Sequence, residues 1–465
     1  MSQPGSIHFE ISERKVLLRI IDVAVVLGAL HLVGTVFNFD YFKINEEHWS
    51  WIILLGAYLL FFATVFELYH LQRASRITST LRGVVFTSSI TSLIYLLTPF
   101  LTPSLPENRL QILYFYLAIT LSLLIWRAFY IKLFSSSRFY KNILIIADAT
   151  DAAQVAETLQ EADPNYKIAG YINTDRQLEI GHDDRISILT IPEAKNRLEG
   201  QEVSEIVIAS SNVEGGITPE LYEWLIELVE NGFSVREYTQ IYEEITDRVP
   251  VQYVGKDFYK YFPFARSNQN KLYMVYHRLF DIVCSILGLI FGLVLLPLIF
   301  IGNIMGNRGP LFYKQERVGK NRKSFQIYKF RTMVKNAEVD GAQFATKNDS
   351  RITAFGKFLR KSRLDEFPPQ FYNILKGEMS IIGPRPERPV FVKQLSEKIP
   401  FYETRHVVKP GLTGWAQVKT KYGESELDSL RKLQYDLYYI KHRSLFLDLR
   451  IIVKTLTTII FFKGQ

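Results

Sequence analysis

The stretch Leu279–Ile301, "LFDIVCSILGLIFGLVLLPLIFI", decides how the chain is laid out. By length alone it would cross a bilayer as a helix. Three features oppose a crossing. Pro297 removes a backbone donor and clashes with the preceding turn, so a break or kink is expected at Leu296–Pro297. Both flanks are basic: Lys271, His277 and Arg278 lie before the stretch, and Arg308, Lys314, Arg317, Lys320, Arg322 and Lys323 after it. A simple crossing would put one of these flanks outside. Parity is the third feature, because a further crossing would export everything after Ile301. The sequence therefore predicts a re-entrant helix–break–helix that enters and leaves on one face. The alternative is an ordinary fifth span.

Parity rests on four apolar runs upstream: Val16–Phe37, Trp51–Tyr69, Gly83–Leu101 and Leu110–Leu133. Each approaches the roughly 20 residues a spanning helix needs. Arg14, Lys15 and Arg19 precede the first run, and Asp40, Glu46 and Glu47 follow it beside Lys43. Arg73, Arg76 and Arg82 follow the second run; Arg127, Lys132, Arg138 and Lys141 lie at or after the end of the fourth. Positive charge inside gives a cytoplasmic N-terminus, four crossings and a cytoplasmic exit. Asp22 and His31 are ionisable residues within the first run, and a hydrogen-bonded or interfacial role is expected for Asp22.

From Tyr140 the pattern changes to alternating strands and helices. "NILIIAD", "KIAGYIN", "EIVIAS" and "FSVREY" read as strands, and Ala152–Ala162 and Pro219–Asn231 as helices. That alternation predicts a Rossmann-like, doubly wound α/β domain. Its first strand-to-helix turn, "ADATDAAQ", has no glycine and sets Asp148 and Asp151 where a pyrophosphate would sit. The domain is read as structural, dimerising or regulatory rather than as a dehydrogenase. Val213–Gly216 is a loop signal only. The divisions drawn are a transmembrane bundle over 1–138, the α/β domain over 139–265, the re-entrant hairpin over 266–308 and a mainly helical domain over 309–465.

Composition agrees. The chain has 465 residues, 48% of them hydrophobic, with long apolar runs set between charged stretches. The formal net charge of +8 suits membrane surfaces and anionic substrates. No basic helix with interleaved aromatics suggests groove reading, so no nucleic-acid partner is expected. The single cysteine, Cys284, excludes an intrachain disulfide and a multi-cysteine metal site. A charged N-terminus without a small-residue cleavage site reads as a retained membrane segment.

Chemistry concentrates in Leu359–Phe391, "LRKSRLDEFPPQFYNILKGEMSIIGPRPERPVF". Asp365 and Glu366 follow Arg360 closely, and Pro368-Pro369 follows them as a turn signal. An amphipathic run then leads to Gly383-Pro384-Arg385-Pro386-Glu387-Arg388. Carboxylates act as nucleophiles or hold hard cations, and arginines grip phosphate oxygens in pairs. Phosphoryl chemistry is one reading; a surface helix whose charges pair with one another is the other. Upstream, "FYKQERVGKNRKSFQIYKFRTM" reads as a basic hairpin and supplies Arg317, Lys329 and Arg331 to a phosphate-binding wall. Ile352–Ser362 fits an amphipathic helix, with Pro368 preventing its continuation.

Taken in order, the hydrophobic anchor, "YKQERVGKNRKSFQIYKFRTM", the acidic-pair segment and "KPGLTGWAQV" resemble the catalytic domain of bacterial sugar transferases, the monotopic polyprenyl-phosphate hexose-1-phosphate transferases. The resemblance covers Lys271–Gln465, and the N-terminal half is similar in layout to the larger members. It implies a re-entrant hairpin broken at proline. It also implies transfer of hexose-1-phosphate from a UDP-hexose to undecaprenyl phosphate, with release of UMP through an aspartyl-phosphosugar. Asp365 would be the nucleophile and Glu366 a metal ligand or acid/base partner. Mg2+ would be the cofactor, held by Asp365 and Glu366. Arg360, Arg385, Pro384, Pro386, Lys329, Arg331 and Arg317 would bind substrate. Glucose or galactose is favoured as the sugar. The expected setting is the cytoplasmic face of a bacterial inner membrane, with a homodimer through the middle domain as a further partner.

Two other functions remain open from sequence. One is a metal-dependent glycosyltransferase that releases UDP, for which Asp183-Asp184 in a polar loop is a poor site. The other is a non-catalytic membrane scaffold or regulator. Trp415 and Gln417 are open between contact with base or sugar and packing.

Overall fold

The computed structural model describes residues 11–37, 39, 41–42, 48–69, 74, 77–98, 101–134, 141–162, 166–174, 186–200, 202–209, 217–251, 270–335, 337, 349–420 and 425–460. The acidic residues of the first loop, Arg73 and Arg76, Asp183-Asp184 and the Val213–Gly216 turn lie outside the described residues. The chain divides into two compact units, Met1–Thr246 and Asp247–Gln465.

In the first unit, four helices occupy the expected apolar runs: α1 (Ile11–Val36), α2 (Trp49–Val65), α3 (Ile77–Leu96) and α4 (Leu110–Phe134). Helix α1 packs on α4, α2 on α3, and α3 on α4. Their outer faces expose Ile20, Leu32, Ile53, Leu81, Ile125 and Phe129. Polar groups turn inward: Thr87, Ser88 and Thr91 are buried, and Thr120 donates to Ser88 at 2.9 Å. Apolar outside and polar inside is the arrangement a hydrocarbon solvent selects. Asp22 is buried on Arg127, Oδ2 to Nη2 at 2.5 Å, which gives it the hydrogen-bonded role expected. By length and composition α1 and α4 are fit to cross a bilayer, whereas α2 has 17 residues.

The α/β part follows. Strands β1 (Lys141–Ala147), β2 (Tyr166–Asn173), β3 (Glu205–Ile208) and β4 (Val235–Glu237) form one parallel sheet in the order β2-β1-β3-β4. Helices α5 (Ala149–Ala162), α6 (Ile191–Glu199), α7 (Pro219–Glu230) and α8 (Tyr238–Thr246) accompany it. Sequence reading missed α6, although Thr190 and Glu193 form a reciprocal capping box around Pro192. Strand β1 is fully buried from Ile143 to Ala147, as a central parallel strand must be.

The second unit is built on helix α9 (Lys271–Gly306), 36 residues long and apolar enough to span. The helix runs unbroken through Pro297, so Leu296–Pro297 does not separate two helices. The missing proline N–H costs one internal bond, and packing compensates, because Leu295, Leu296 and Ile299 lie against Phe330 and Leu359. Gly292 lets α11 (Phe367–Lys376) approach; a Cβ there would meet Pro368 at 2.8 Å. Around α9 come the antiparallel hairpin β5 (Phe312–Val318) and β6 (Ser324–Phe330), then helix α10 (Ala354–Lys361). Strand β7 (Ser380–Ile382), helix α12 (Pro389–Lys398) and strand β8 (Gly411–Thr413) follow. Helices α13 (Trp415–Lys419), α14 (Glu426–His442) and α15 (Leu445–Ile460) close the unit. Its core gathers Ile374, Met379, Val408, Trp415, Leu433 and Ile451.

Candidate active site

Helix α10 ends where Arg363 takes a left-handed backbone, φ 60°. That reversal delivers Asp365 and Glu366 into a tight turn, with the Glu366 N–H on the Arg363 carbonyl. Glu366 is the N-cap residue of α11. The doubled proline lies in the first turn of α11, where N–H groups have no intrahelical partner, so it opens that helix instead of only stopping α10. Strand β6 fixes the turn from the other side: the Phe330 N–H donates to the Asp365 carbonyl at 2.9 Å. Asn373 of α11 bridges to β6 by accepting from the Tyr328 N–H and donating to the Gln326 carbonyl.

The two acids have opposite surroundings. Glu366 is saturated by cations. Lys329 Nζ reaches its Oε1 at 2.5 Å, and Arg385 forks onto Oε1 at 2.8 Å and Oε2 at 3.2 Å. Burial pushes the Glu366 carboxyl up, but Arg385 and Lys329 outweigh it and hold the group well below the usual carboxylate range. Asp365 is 8% exposed, and among the described residues nothing donates a hydrogen bond to its buried Oδ1. Burial, then the neighbouring Glu366 charge, push its carboxyl up to about 6 against the pull of Lys329, Arg360 and Arg363. Burial, with Arg385 and Arg317 adding to it, lowers the Lys329 ammonium against the pull of Glu366.

The structure brings Asp365, Glu366, Lys329 and Arg385 together. Arg360 is held beside them, its Nε donating to Thr332 Oγ1 at 3.0 Å. Arg317 supports the Pro384–Pro386 loop, with Nη1 on the Pro386 carbonyl at 2.9 Å. Arg331 does not join the group: its Nε donates to the Pro310 carbonyl and its guanidinium lies over Tyr313. Sequence reading missed Arg363, whose charge acts on both acids. Trp415 is fully buried, with Nε1 donating to the Asp247 carbonyl and Lys419, Arg450 and Lys454 over its ring. It is a packing residue in this arrangement. Gln417 donates to the Leu412 carbonyl.

A divalent cation was expected on both acids. Among the described residues no group of three metal-binding side chains occurs. Both Glu366 oxygens are engaged, so Asp365 is the acid of the pair with carboxylate oxygen left to offer. One carboxylate with substrate phosphates is a usual magnesium donor set, so the residues fit Mg2+ that arrives with a phosphorylated donor.

A family model described as bacterial sugar transferase matches residues 272–462, which contain this whole site. The chain is 42% identical over 223 residues to a UDP-N-acetylgalactosamine-undecaprenyl-phosphate N-acetylgalactosaminephosphotransferase of Aeromonas hydrophila, covering 48% of the chain and 51% of that relative. It is 44% identical over 204 residues to a UDP-glucose:undecaprenyl-phosphate glucose-1-phosphate transferase of Xanthomonas campestris pv. campestris, covering 43% and 40%. It is 43% identical over 142 residues to a putative undecaprenyl-phosphate N-acetylgalactosaminyl 1-phosphate transferase of Bacillus subtilis, covering 30% of the chain and 79% of that relative. The chain thus belongs to the bacterial sugar transferase family. The match spans about half or less of the length of the first two relatives.

Proposed function

We propose that the chain transfers hexose-1-phosphate from a UDP-hexose to undecaprenyl phosphate and releases UMP. The observation that carries this reading is the asymmetry of the acidic pair. Among the described residues the buried Oδ1 of Asp365 has no partner, while Glu366 is neutralised by Lys329 and Arg385. An unsolvated carboxylate oxygen beside cations is a nucleophile aimed at an anionic electrophile.

In the first step Asp365 Oδ1 bonds to the β-phosphorus of the donor. The bond from that phosphorus to the bridging oxygen breaks, and UMP leaves with its electron pair. In the second step a phosphate oxygen of undecaprenyl phosphate bonds to the same phosphorus. The Asp365 O–P bond breaks, the carboxylate is restored, and undecaprenyl diphosphate hexose departs. Glu366 holds Lys329 and Arg385 in place, and these cations steady the transferring phosphoryl oxygens. Bound Mg2+ at Asp365 would offset the donor's charge.

The setting follows from α9. Tyr273 near its start donates to Asp448 at 2.6 Å, and Asn303 and Asn307 near its end donate to the Gly309 and Arg331 carbonyls. Both ends are tied into one compact unit, which supports re-entry from one face over a crossing. On this reading α1–α4 cross, the catalytic unit faces the cytoplasm of a bacterial inner membrane, and the middle domain serves a structural or dimerising part. The relatives' names include glucose, galactose and N-acetylgalactosamine.

The test is turnover of full-length protein in undecaprenyl phosphate-containing micelles with Mg2+ and each of UDP-glucose, UDP-galactose and UDP-N-acetylgalactosamine. The expected products are UMP and a lipid diphosphate sugar with one donor, glucose or galactose first, and none from Asp365→Asn. Release of UDP, or full activity in Asp365→Asn, would overturn the reading.

A further inference from the structure

The loop that aims Arg385 has no regular secondary structure, yet four consecutive carbonyls in it are held from outside. The Pro384 carbonyl accepts from the Gly411 N–H at 2.8 Å, and the Glu387 carbonyl from the Val318 N–H at 2.9 Å. Arg317 holds the Pro386 carbonyl at 2.9 Å. The Arg385 carbonyl accepts from Arg405 Nη2 at 3.1 Å. Prolines at 384 and 386 lack N–H groups, so the loop's orientation depends on these donors.

Arg405 is buried, and both of its terminal nitrogens are committed. Its Nη1 donates to the Tyr402 hydroxyl at 2.6 Å, and its Nη2 also donates to Asp436 Oδ2 at 2.7 Å. Asp436 is itself buried on α14. A buried Arg–Asp pair of this kind adds little to stability over an apolar pair of the same shape. What it does supply is a rigid guanidinium fork aimed at one backbone oxygen. The carbonyl it holds belongs to the residue whose side chain forks onto Glu366.

We propose that Arg405, held by Asp436 and Tyr402, is a positioning residue for the phosphosugar transfer and acts through Arg385. This inference rests on the function proposed above and deepens it. Lysine at 405 would keep the charge but cannot hold the Tyr402 hydroxyl, Asp436 and the Arg385 carbonyl in one plane. The expected loss in kcat for Arg405→Lys is about 10- to 100-fold, with the donor KM changed far less, as for other groups that orient a reacting residue.

The decisive experiment is a double-mutant cycle on full-length protein, Arg405→Lys with Arg385→Ala, read by kcat. If Arg405 acts through Arg385, Arg405→Lys costs nothing further once Arg385 is alanine. Losses that multiply would overturn the proposal and leave Arg405 a fold element only. A second readout does not need turnover: hydrogen exchange of the 383–388 amides. Faster exchange there in Arg405→Lys and Asp436→Asn, with 141–147 unchanged, is the expected result; unchanged exchange at 383–388 overturns the proposal. A wild-type protein inactive with every donor would refute the proposed function, while the exchange result would still decide the clamp.

Discussion

Asp148 and Asp365 each stand just ahead of a helix, one between β1 and α5, the other beside the residue that opens α11. Both are buried. Asp148 Oδ1 accepts the Thr174 hydroxyl, and its carbonyl accepts the Ala152 N–H, so it closes a turn in the parallel sheet. Asp365 Oδ1 has no such donor among the described residues, and its neighbour Glu366 draws Lys329 and Arg385 to the spot. The same residue type at the same kind of local position accepts a local hydroxyl in one unit and keeps a buried oxygen without a donor among the described residues in the other. Neighbours that arrive from distant sequence make the difference.

Replacing each acid is the sharpest way to break that contrast. Asp365→Asn should lower turnover by at least about 10³-fold, since an amide cannot form the acyl phosphate. Comparable loss in Asp148→Asn would erase the distinction between the two sites. Glu366→Gln should cost about 10²-fold, because Lys329 and Arg385 lose the anchor that aims them.

The pH profile sharpens the same contrast. Asp365 must be ionised to attack, so kcat should fall as pH drops through about 6, tenfold per unit below it. Removing the Glu366 charge takes away one upward push and frees Lys329 and Arg385 to act on Asp365. The apparent pKa in Glu366→Gln should therefore lie below that of the wild type. An unchanged or higher value would mean that another group controls the profile.

Stability gives a smaller effect of opposite sign. The Asp365 pKa in the fold lies above its unfolded value of about 3.9, so ionising it in place opposes folding. That group's contribution is most favourable below about pH 4 and is lost as pH rises through about 6. Asp365→Asn should then stabilise the protein at pH 8 by about 1–3 kcal/mol, read as a higher Tm, with the gain vanishing near pH 4. The smallest effect is expected for Asp148→Asn: turnover within about twofold of wild type, with a loss of about 1 kcal/mol in stability from the weakened Thr174 contact.

Much of this was legible in the chain. Apolar runs marked α1–α4 and α9 because a helix in hydrocarbon must be apolar over its whole length, and alternation marked the parallel strands because buried strands need β-branched runs. The hairpin of β5 and β6, the acidic pair and the proline-framed Arg385 were each visible as local patterns. Helix α6 leaves little apolar signal, with Ala194 its buried residue, and Pro297 leaves α9 unbroken because one lost hydrogen bond is offset where side chains pack before and after it. Pro368-Pro369 reads in sequence as a stop, and in the fold it equally starts the next helix.

By itself the sequence determined which segments are apolar enough to leave water, where the strands fall and which residue types carry chemistry, because these depend on composition and short-range spacing. Only the tertiary structure decided which charges meet. Lys329 and Arg385 reach Glu366 from a strand and a loop on either side of it in sequence, and Arg331, two residues from Lys329, faces a different loop. Arg405 was not legible at all, since its value comes from one carbonyl that lies twenty residues earlier in the chain. Burial, charge compensation and an unfilled hydrogen bond are properties of neighbours in space, and neighbours in space are what folding chooses.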